Sequence, residues 1–291
     1  MSKRGWLLFI AVGVIWGMPY LFIRIAVATI DPLVIAFGRT LIGAMLLLPM
    51  ALHRKALGPA FRQWRWLLVF TVVEISGPWL LIGHAETRLN SSTTGLIIAM
   101  VPLFAALLVA GLGHERLERH RIGGLALGFL GVATIVGLDL HFSDMGAAAA
   151  LVVSALGYAI GPIIINRKLA DAPPIGVVTG SLILATLIYS PFVPLLWPEQ
   201  PGFAGIIAVS VLGLICTATA FMFFFALIAE IGPARATVIA YINPVVAVIL
   251  GVAFLDEPFT VPMAIGSVMV IPGSILATHR GAASRQARAS S

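Results

Sequence analysis

Ten apolar stretches of 17 to 26 residues take up most of this 291-residue chain, and their length and continuity decide what it can fold into. They run over 5–28, 33–52, 65–83, 93–112, 122–138, 146–165, 176–197, 203–228, 235–255 and 261–278. The hydrocarbon core of a bilayer, about 30 Å thick, takes about 20 residues of helix, so each stretch can cross it. Backbone groups cannot go unpaired in lipid, and a β-barrel would show alternating runs of about ten residues instead of continuous ones. The pattern therefore predicts an all-α integral membrane protein of ten transmembrane helices. With 60% of residues apolar and only 10% charged, the short connections leave no room for a water-soluble domain. No Gly-x-x-x-x-Gly-Lys phosphate loop, His-Glu-x-x-His motif or Gly-x-Ser-x-Gly elbow occurs, and the six histidines are scattered over loops and span ends. Neither ATP hydrolysis nor any cofactor is implied.

Lys3 and Arg4 precede an apolar run that ends in Ala26-Val27-Ala28, as in a secretory signal. The run is too long for a signal and is interrupted by Arg24, so it is read as an uncleaved first span. With the N-terminus in the cytoplasm, Lys3, Arg4, Arg54, Lys55, Arg62, Arg65, Arg116, Arg119, Arg121, Arg167, Lys168, Arg235, Arg280, Arg285 and Arg288 fall inside and Arg88 alone outside. This bias puts both termini in the cytoplasm. The net charge of +6 then reflects topology and contact with anionic membrane lipids; short, scattered basic loops do not suit nucleic acid. Residues 279–291 form a basic tail expected to be disordered. Cys216 stands alone, which excludes an internal disulfide and a cysteine-based metal site.

The second half of the chain repeats the first at an offset of 142. Pro32, Pro49 and Pro102 fall on Pro174, Pro191 and Pro244, Glu115 falls on Glu257, and Gly38, Gly124 and Gly131 fall on Gly180, Gly266 and Gly273. Chance would give roughly half a proline match at any one offset, against three here. The chain divides into a first five-helix repeat, 1–142, and a second, 143–278. Five is odd, so the second unit must cross the membrane upside down. Inverted repeats allow a midplane site to be exposed to either side in turn, which points to a secondary transporter acting on a small-molecule substrate. A channel is the nearest alternative, and an integral-membrane enzyme acting on a lipid-linked substrate is a more distant one.

Ten spans in two halves, Trp16-Gly17 in the first span, and a mid-span proline followed thirteen residues later by an acid (Pro102 to Glu115, Pro244 to Glu257), then Gly124 or Gly266, together resemble the EamA-type members of the drug/metabolite transporter superfamily. The resemblance covers essentially the whole chain. It implies a basket in which spans 1 to 4 and 6 to 9 enclose a central cavity while spans 5 and 10 lie outside. It also implies a bacterial inner-membrane location and, within the family, an exporter of aromatic and other neutral amino acids.

Several residues could carry such a function. Pro102 and Pro244 each lack an N–H near mid-span, so both helices should bend there and act as hinges; a static kink satisfied by neighbouring helices is the alternative. Trp16, Tyr20 and Arg24 share one face of span one, and Tyr158 leads the equivalent face of span six. Trp16 and Tyr158 lie too deep for the interfacial belt, which suits them to an aromatic wall or to plain packing. Met18, Trp79, Met100, Thr217, Phe221 and Tyr241 complete the candidate lining, with Asn243 beside Pro244 needing partners for its amide. Ionisable groups within spans cost about 2.5–3.5 kcal/mol each. Arg39, about 10 Å below the outer surface at about 1.5 Å per residue, and Glu74, nearer the midplane, are the strongest candidates for a functional charge. Glu74 could bind a substrate amine, carry a coupling proton, or pair with Arg39. Glu115 and Glu257 fall at opposite membrane ends and are expected to tie loops to helix ends. Glycine-rich helices pack equally well within or between chains, so the oligomeric state stays open.

Overall fold

The computed structural model describes residues 2–112, 119–139, 144–232 and 236–278. Glu115, Arg116, Arg235 and the tail 279–291 lie outside the described residues, and so does what the sequence predicts for them. Among the described residues the fold is all helix, without a strand. Helices α1 (Lys3–Gly17) and α2 (Pro19–Ala26) form one kinked rod, followed by α3 (Pro32–His53) and a short α4 (Leu57–Arg62). Next, α5 (Trp64–Phe70) runs through a π-helical turn, Thr71–Ser76, into α6 (Gly77–Glu86), and α7 (Ser91–Ile98) is followed by α8 (Val101–Gly111). Then come α9 (Arg119–Asp139), α10 (Met145–Lys168), α11 (Pro174–Tyr189) and α12 (Val193–Leu196). Helix α13 (Phe203–Gly213) passes through a second π-helical turn, Leu214–Thr219, into α14 (Ala220–Ile231). A 3₁₀ turn, Thr237–Tyr241, leads into α15 (Asn243–Leu255), and α16 (Val261–Thr278) ends the described chain.

Six rods are long and apolar enough to cross a membrane: Lys3–Ala26, Pro32–His53, Trp64–Glu86, Ser91–Gly111, Met145–Lys168 and Phe203–Ile231. Pro174–Tyr189, Ile239–Leu255 and Val261–Ala277 are apolar but shorter. Leu7, Met45, Val153, Leu187, Phe254 and Val268 turn large apolar side chains outward, as lipid contact requires. The molecule is a multi-pass membrane protein.

Proline explains most of the breaks. Pro19, Pro102 and Pro244 each sit in the first two positions of a following helix, where the missing N–H costs little. The break at Met18 divides the first rod between Trp16 and Tyr20, so the continuous stripe expected on span one is bent. The stretch 176–197 stops being one helix at Tyr189; Pro191 ends it and only α12 follows. Pro49, Pro162 and Pro272 remain inside helices.

Helices related by the offset pack antiparallel. Between α3 and α11 the Thr186 hydroxyl donates to that of Thr40 at 3.1 Å, and Ala56, just past the end of α3, meets Gly176. Between the offset-related spans 93–112 and 235–255, Gly95 of α7 meets Ala247 of α15 and Ser92 meets Gly251, although the offset itself carries α15 onto α8. Helices α9 and α16 run together lengthwise: a Cβ on Gly273 would lie 2.6 Å from the Gly128 nitrogen, so the backbones touch through small residues. Exchange contacts complete the bundle, with Gly5 of α1 on Ile231 of α14 and Val73 against Gly157 of α10.

The buried apolar residues are not uniformly joined. One cluster links α2, α3, α6, α7, α8, α9, α10, α13, α15 and α16, running from Ala26, Ile30, Ile82, Leu89 and Ala208 at one end to Ala106, Leu125 and Ala277 toward the other. At the opposite end, rich in Lys and Arg, Val12, Leu227, Ala236 and Ile239 form a cluster of their own. It is separate from Ala51, Ala60, Leu67, Leu169 and Ile175 on α3, α4, α5, α10 and α11. Tyr158 packs against both of the larger clusters.

Candidate substrate site

Helix α3 turns Arg39 inward, where only 7% of it is exposed. Its Nε donates to the Thr217 hydroxyl at 2.9 Å, and its guanidinium carbon lies 3.6 Å from the centre of the Trp79 ring. Thr217 lies in the second π-helical turn and donates back to the Leu212 carbonyl at 2.8 Å, which fixes its oxygen as an acceptor for Arg39. Trp79 lies near the start of α6. Tyr20, Tyr158, Tyr189 and Cys216 are close enough to feel the Arg39 charge. No carboxylate pairs with Arg39 among the described residues, and neither Nη atom has a hydrogen-bond partner. A buried cation without its counter-ion is costly and, inside a membrane protein, usually functional.

Glu74 lies in the other π-helical turn, a feature that places extra backbone at functional sites in many helices. Its carboxylate does not reach Arg39. Oε2 is sealed from solvent without a partner and presses on α10 at Gly161, where a Cβ would come within 1.8 Å of it. Only glycine leaves room for that carboxylate. Two residues further on, the Ser76 carbonyl accepts from the Tyr189 hydroxyl at 2.6 Å. Tyr158, three residues before Gly161 on α10, feels both Arg39 and Glu74, and the Trp79 indole is turned to its hydroxyl.

The aromatic residues assemble on one side. Trp16 meets Phe221 edge-on at 5.7 Å and Phe224 tilted at 4.7 Å, while Phe221 stacks on Phe225 at 6.1 Å. These centroid separations lie within the range of favourable ring pairs. Met18 is half-buried at the break between α1 and α2, and Met100 is buried in the core at the break before Pro102.

The two helix breaks are stitched to their neighbours. With its amide nitrogen turned to the carbonyls that face it, Asn243 donates to Ile239 and to Gly13 of α1, both at 3.1 Å. The Ser274 hydroxyl donates to the Ala99 carbonyl at 3.2 Å, and the Tyr241 hydroxyl donates to the Ser274 carbonyl at 3.2 Å. Asn243 and Tyr241 therefore link α15 to α1 and α16, and the structure groups neither with Arg39 and Glu74.

A second polar cluster sits at the far end from the basic loops, and Glu86 in it has no counterpart in the sequence-level candidates. Glu257 accepts from Ser91 N at 2.7 Å, Ser92 N at 2.9 Å and Ser92 Oγ at 2.5 Å, capping α7 with a charge that suits a helix N-terminus. Arg24 Nη1 donates to the Glu86 carbonyl oxygen at 2.5 Å, while both carboxyl oxygens of fully buried Glu86 have no partner among the described residues. A vestibule of about 700 Å³ opens here, lined by Arg24, Thr29, Asn90, Gly205, Asp256 and Glu257. Glu86 was hidden because it lies three residues past the apolar stretch that ends at residue 83; the extra turn of helix carries it inside.

A polytopic helical bundle with unpaired ionisable side chains of both signs and a cluster of half-buried aromatic rings is the build of a membrane transporter. The EamA-like transporter family model matches the chain twice, over residues 3–137 and 145–278, and the chain belongs to that family. It is 29% identical over 254 residues to the uncharacterized inner membrane transporter YedA of Escherichia coli K12, covering 85% of this chain and 81% of that one. The uncharacterized transporter YvbV of Bacillus subtilis is 26% identical, with 94% and 91% covered. A protein of Streptantibioticus cattleyicolor named "probable terminal-alkyne amino-acid exporter" is 23% identical, with 96% and 95% covered. One solved crystal structure superposes with a TM-score of 0.69 at 20% identity, over 96% of this chain and 98% of that one, and so shares the fold.

Proposed function

We propose that this protein is a secondary carrier that exports small neutral amino acids, aromatic and other apolar ones, across a bacterial inner membrane by alternating access. Its ten membrane helices work as two inverted repeats, 1–142 and 143–278, with both termini in the cytoplasm. The observation that carries this reading is the antiparallel packing of offset-related helices (α3 on α11, α9 on α16) around an interior that holds Arg39 and the Glu74 carboxylate. Such a pair of inverted halves can exchange conformations about a midplane site.

The breaks at Pro102 and Pro244 supply the bending points, and Trp16, Phe221 and Tyr158 form the wall along which the substrate side chain lies. Met18 and Tyr20 flank the break in the first rod and Met100 the break before Pro102, and Asn243 and Tyr241 hold the moving α15 to its neighbours.

The test is flux of labelled phenylalanine and leucine in liposomes carrying the purified protein. Saturable flux above that of protein-free liposomes is expected; flux no greater than in protein-free liposomes for every amino acid offered overturns the reading.

A further inference from the structure

Resting on the transport reading, we infer that Arg39 and Glu74 are the two halves of a zwitterion clamp, Arg39 holding the substrate carboxylate and Glu74 its ammonium group. Arg39 is buried, its Nε is spent on Thr217 and its face on Trp79, and its two Nη groups remain without a partner. That leaves a planar fork of N–H donors, the geometry that grips a carboxylate at two points. Glu74 presents the opposite charge from the neighbouring rod, pressed against Gly161 and likewise without a partner. The two do not neutralise each other, and Tyr158, three residues before Gly161 on α10, is near enough to feel both.

Uncompensated charges of opposite sign in one membrane interior demand a ligand that carries both complements, because an acid or an amine alone would leave one of them bare. An α-amino acid has both on adjacent atoms and leaves its side chain free to lie against Trp16 and Phe221. Tyr158 then contacts the backbone of the substrate, while Thr217 and Trp79 hold the Arg39 fork in place as positioning residues. The class of side chain is chosen by the aromatic wall, and the requirement for a free amino acid is set by the clamp.

The crossed experiment uses the full-length protein in liposomes and measures inhibition of labelled phenylalanine flux by 2-phenylethylamine, which lacks the carboxylate, and by 3-phenylpropionate, which lacks the ammonium group. Leucine with its own amine and acid analogues serves as a second set. In the native protein each analogue should compete at least about tenfold more weakly than the amino acid. Arg39→Gln should lose preference for phenylalanine over the amine, and Glu74→Gln should lose preference over the acid, each leaving the other discrimination in place. Arg39→Lys, which keeps the charge but not the two-point fork, should retain only part of the preference, more than Arg39→Gln and less than the native protein. Analogues that compete as well as phenylalanine in the native protein overturn the clamp while leaving transport standing, and so do folded variants that lose both discriminations together. Native protein that carries neither amino acid overturns the transport reading and the clamp with it.

Discussion

Arg39 lies with its guanidinium carbon 3.6 Å from the centre of the Trp79 ring and forms no ion pair with Glu74, the one acidic side chain within the neighbouring π-helical turn. The ring face takes the place of a counter-ion, and desolvated cation–π contacts are worth about 2 kcal/mol. Trp79→Leu should therefore lower the thermal unfolding midpoint in detergent and weaken substrate binding, while Trp79→Phe retains part of both. An unchanged midpoint in Trp79→Leu would show that the stacking is incidental.

Gly161→Ala tests how tightly Glu74 is held. The added methyl would sit 1.8 Å from Oε2, so the carboxylate or α10 must shift, at a cost on the order of 1–3 kcal/mol. Shortening the acid in the double variant Gly161→Ala/Glu74→Ala should recover much of that loss. Strictly additive midpoints would mean that the two side chains do not contend for the same space.

Glu257→Ala removes the acceptor of three hydrogen bonds at the start of α7. Hydrogen bonds to a charged group contribute roughly 1.5–3 kcal/mol each when buried, so a clear fall in the unfolding midpoint is expected. Because α15 and α7 meet at this cap, the variant should also make a cysteine introduced at Thr87 more reactive to an impermeant maleimide from outside. Unaltered stability and labelling together would deny the cap a structural role.

Pro102→Ala and Pro244→Ala restore an N–H and allow each break to close into continuous helix. If bending at these points is part of the cycle, the maximal flux should fall several-fold while the protein stays as stable or becomes more so, and half-saturation changes little. A static kink predicts unchanged flux. Measuring both variants separately shows whether the two halves contribute alike.

The sequence allowed the rods, their prolines and the 142-residue offset to be recognised, because spacing and hydropathy are local properties of a chain that must cross lipid. The break at Met18 followed from Pro19 by the same rule applied to Pro102. The second π-helical turn, Leu214–Thr219, was not legible: nothing in its residues stands out, and its form answers to the packing of α3 against it. The partner of Arg39 was equally out of reach, since Thr217 is 178 residues away and one threonine among many. The bond from the Tyr241 hydroxyl to the Ser274 carbonyl, 33 residues away, was likewise beyond what spacing shows. Glu86 needed three more residues of helix than hydropathy assigns.

Alternating access itself is tested most directly by counterflow. Liposomes carrying the protein, loaded with unlabelled phenylalanine and diluted into a trace of the labelled compound, should accumulate label transiently above its equilibrium level, because one site returns inward only after releasing substrate outside. Label that rises smoothly to equilibrium without an overshoot, at the same rate in loaded and empty liposomes, would contradict the carrier account and identify an open path.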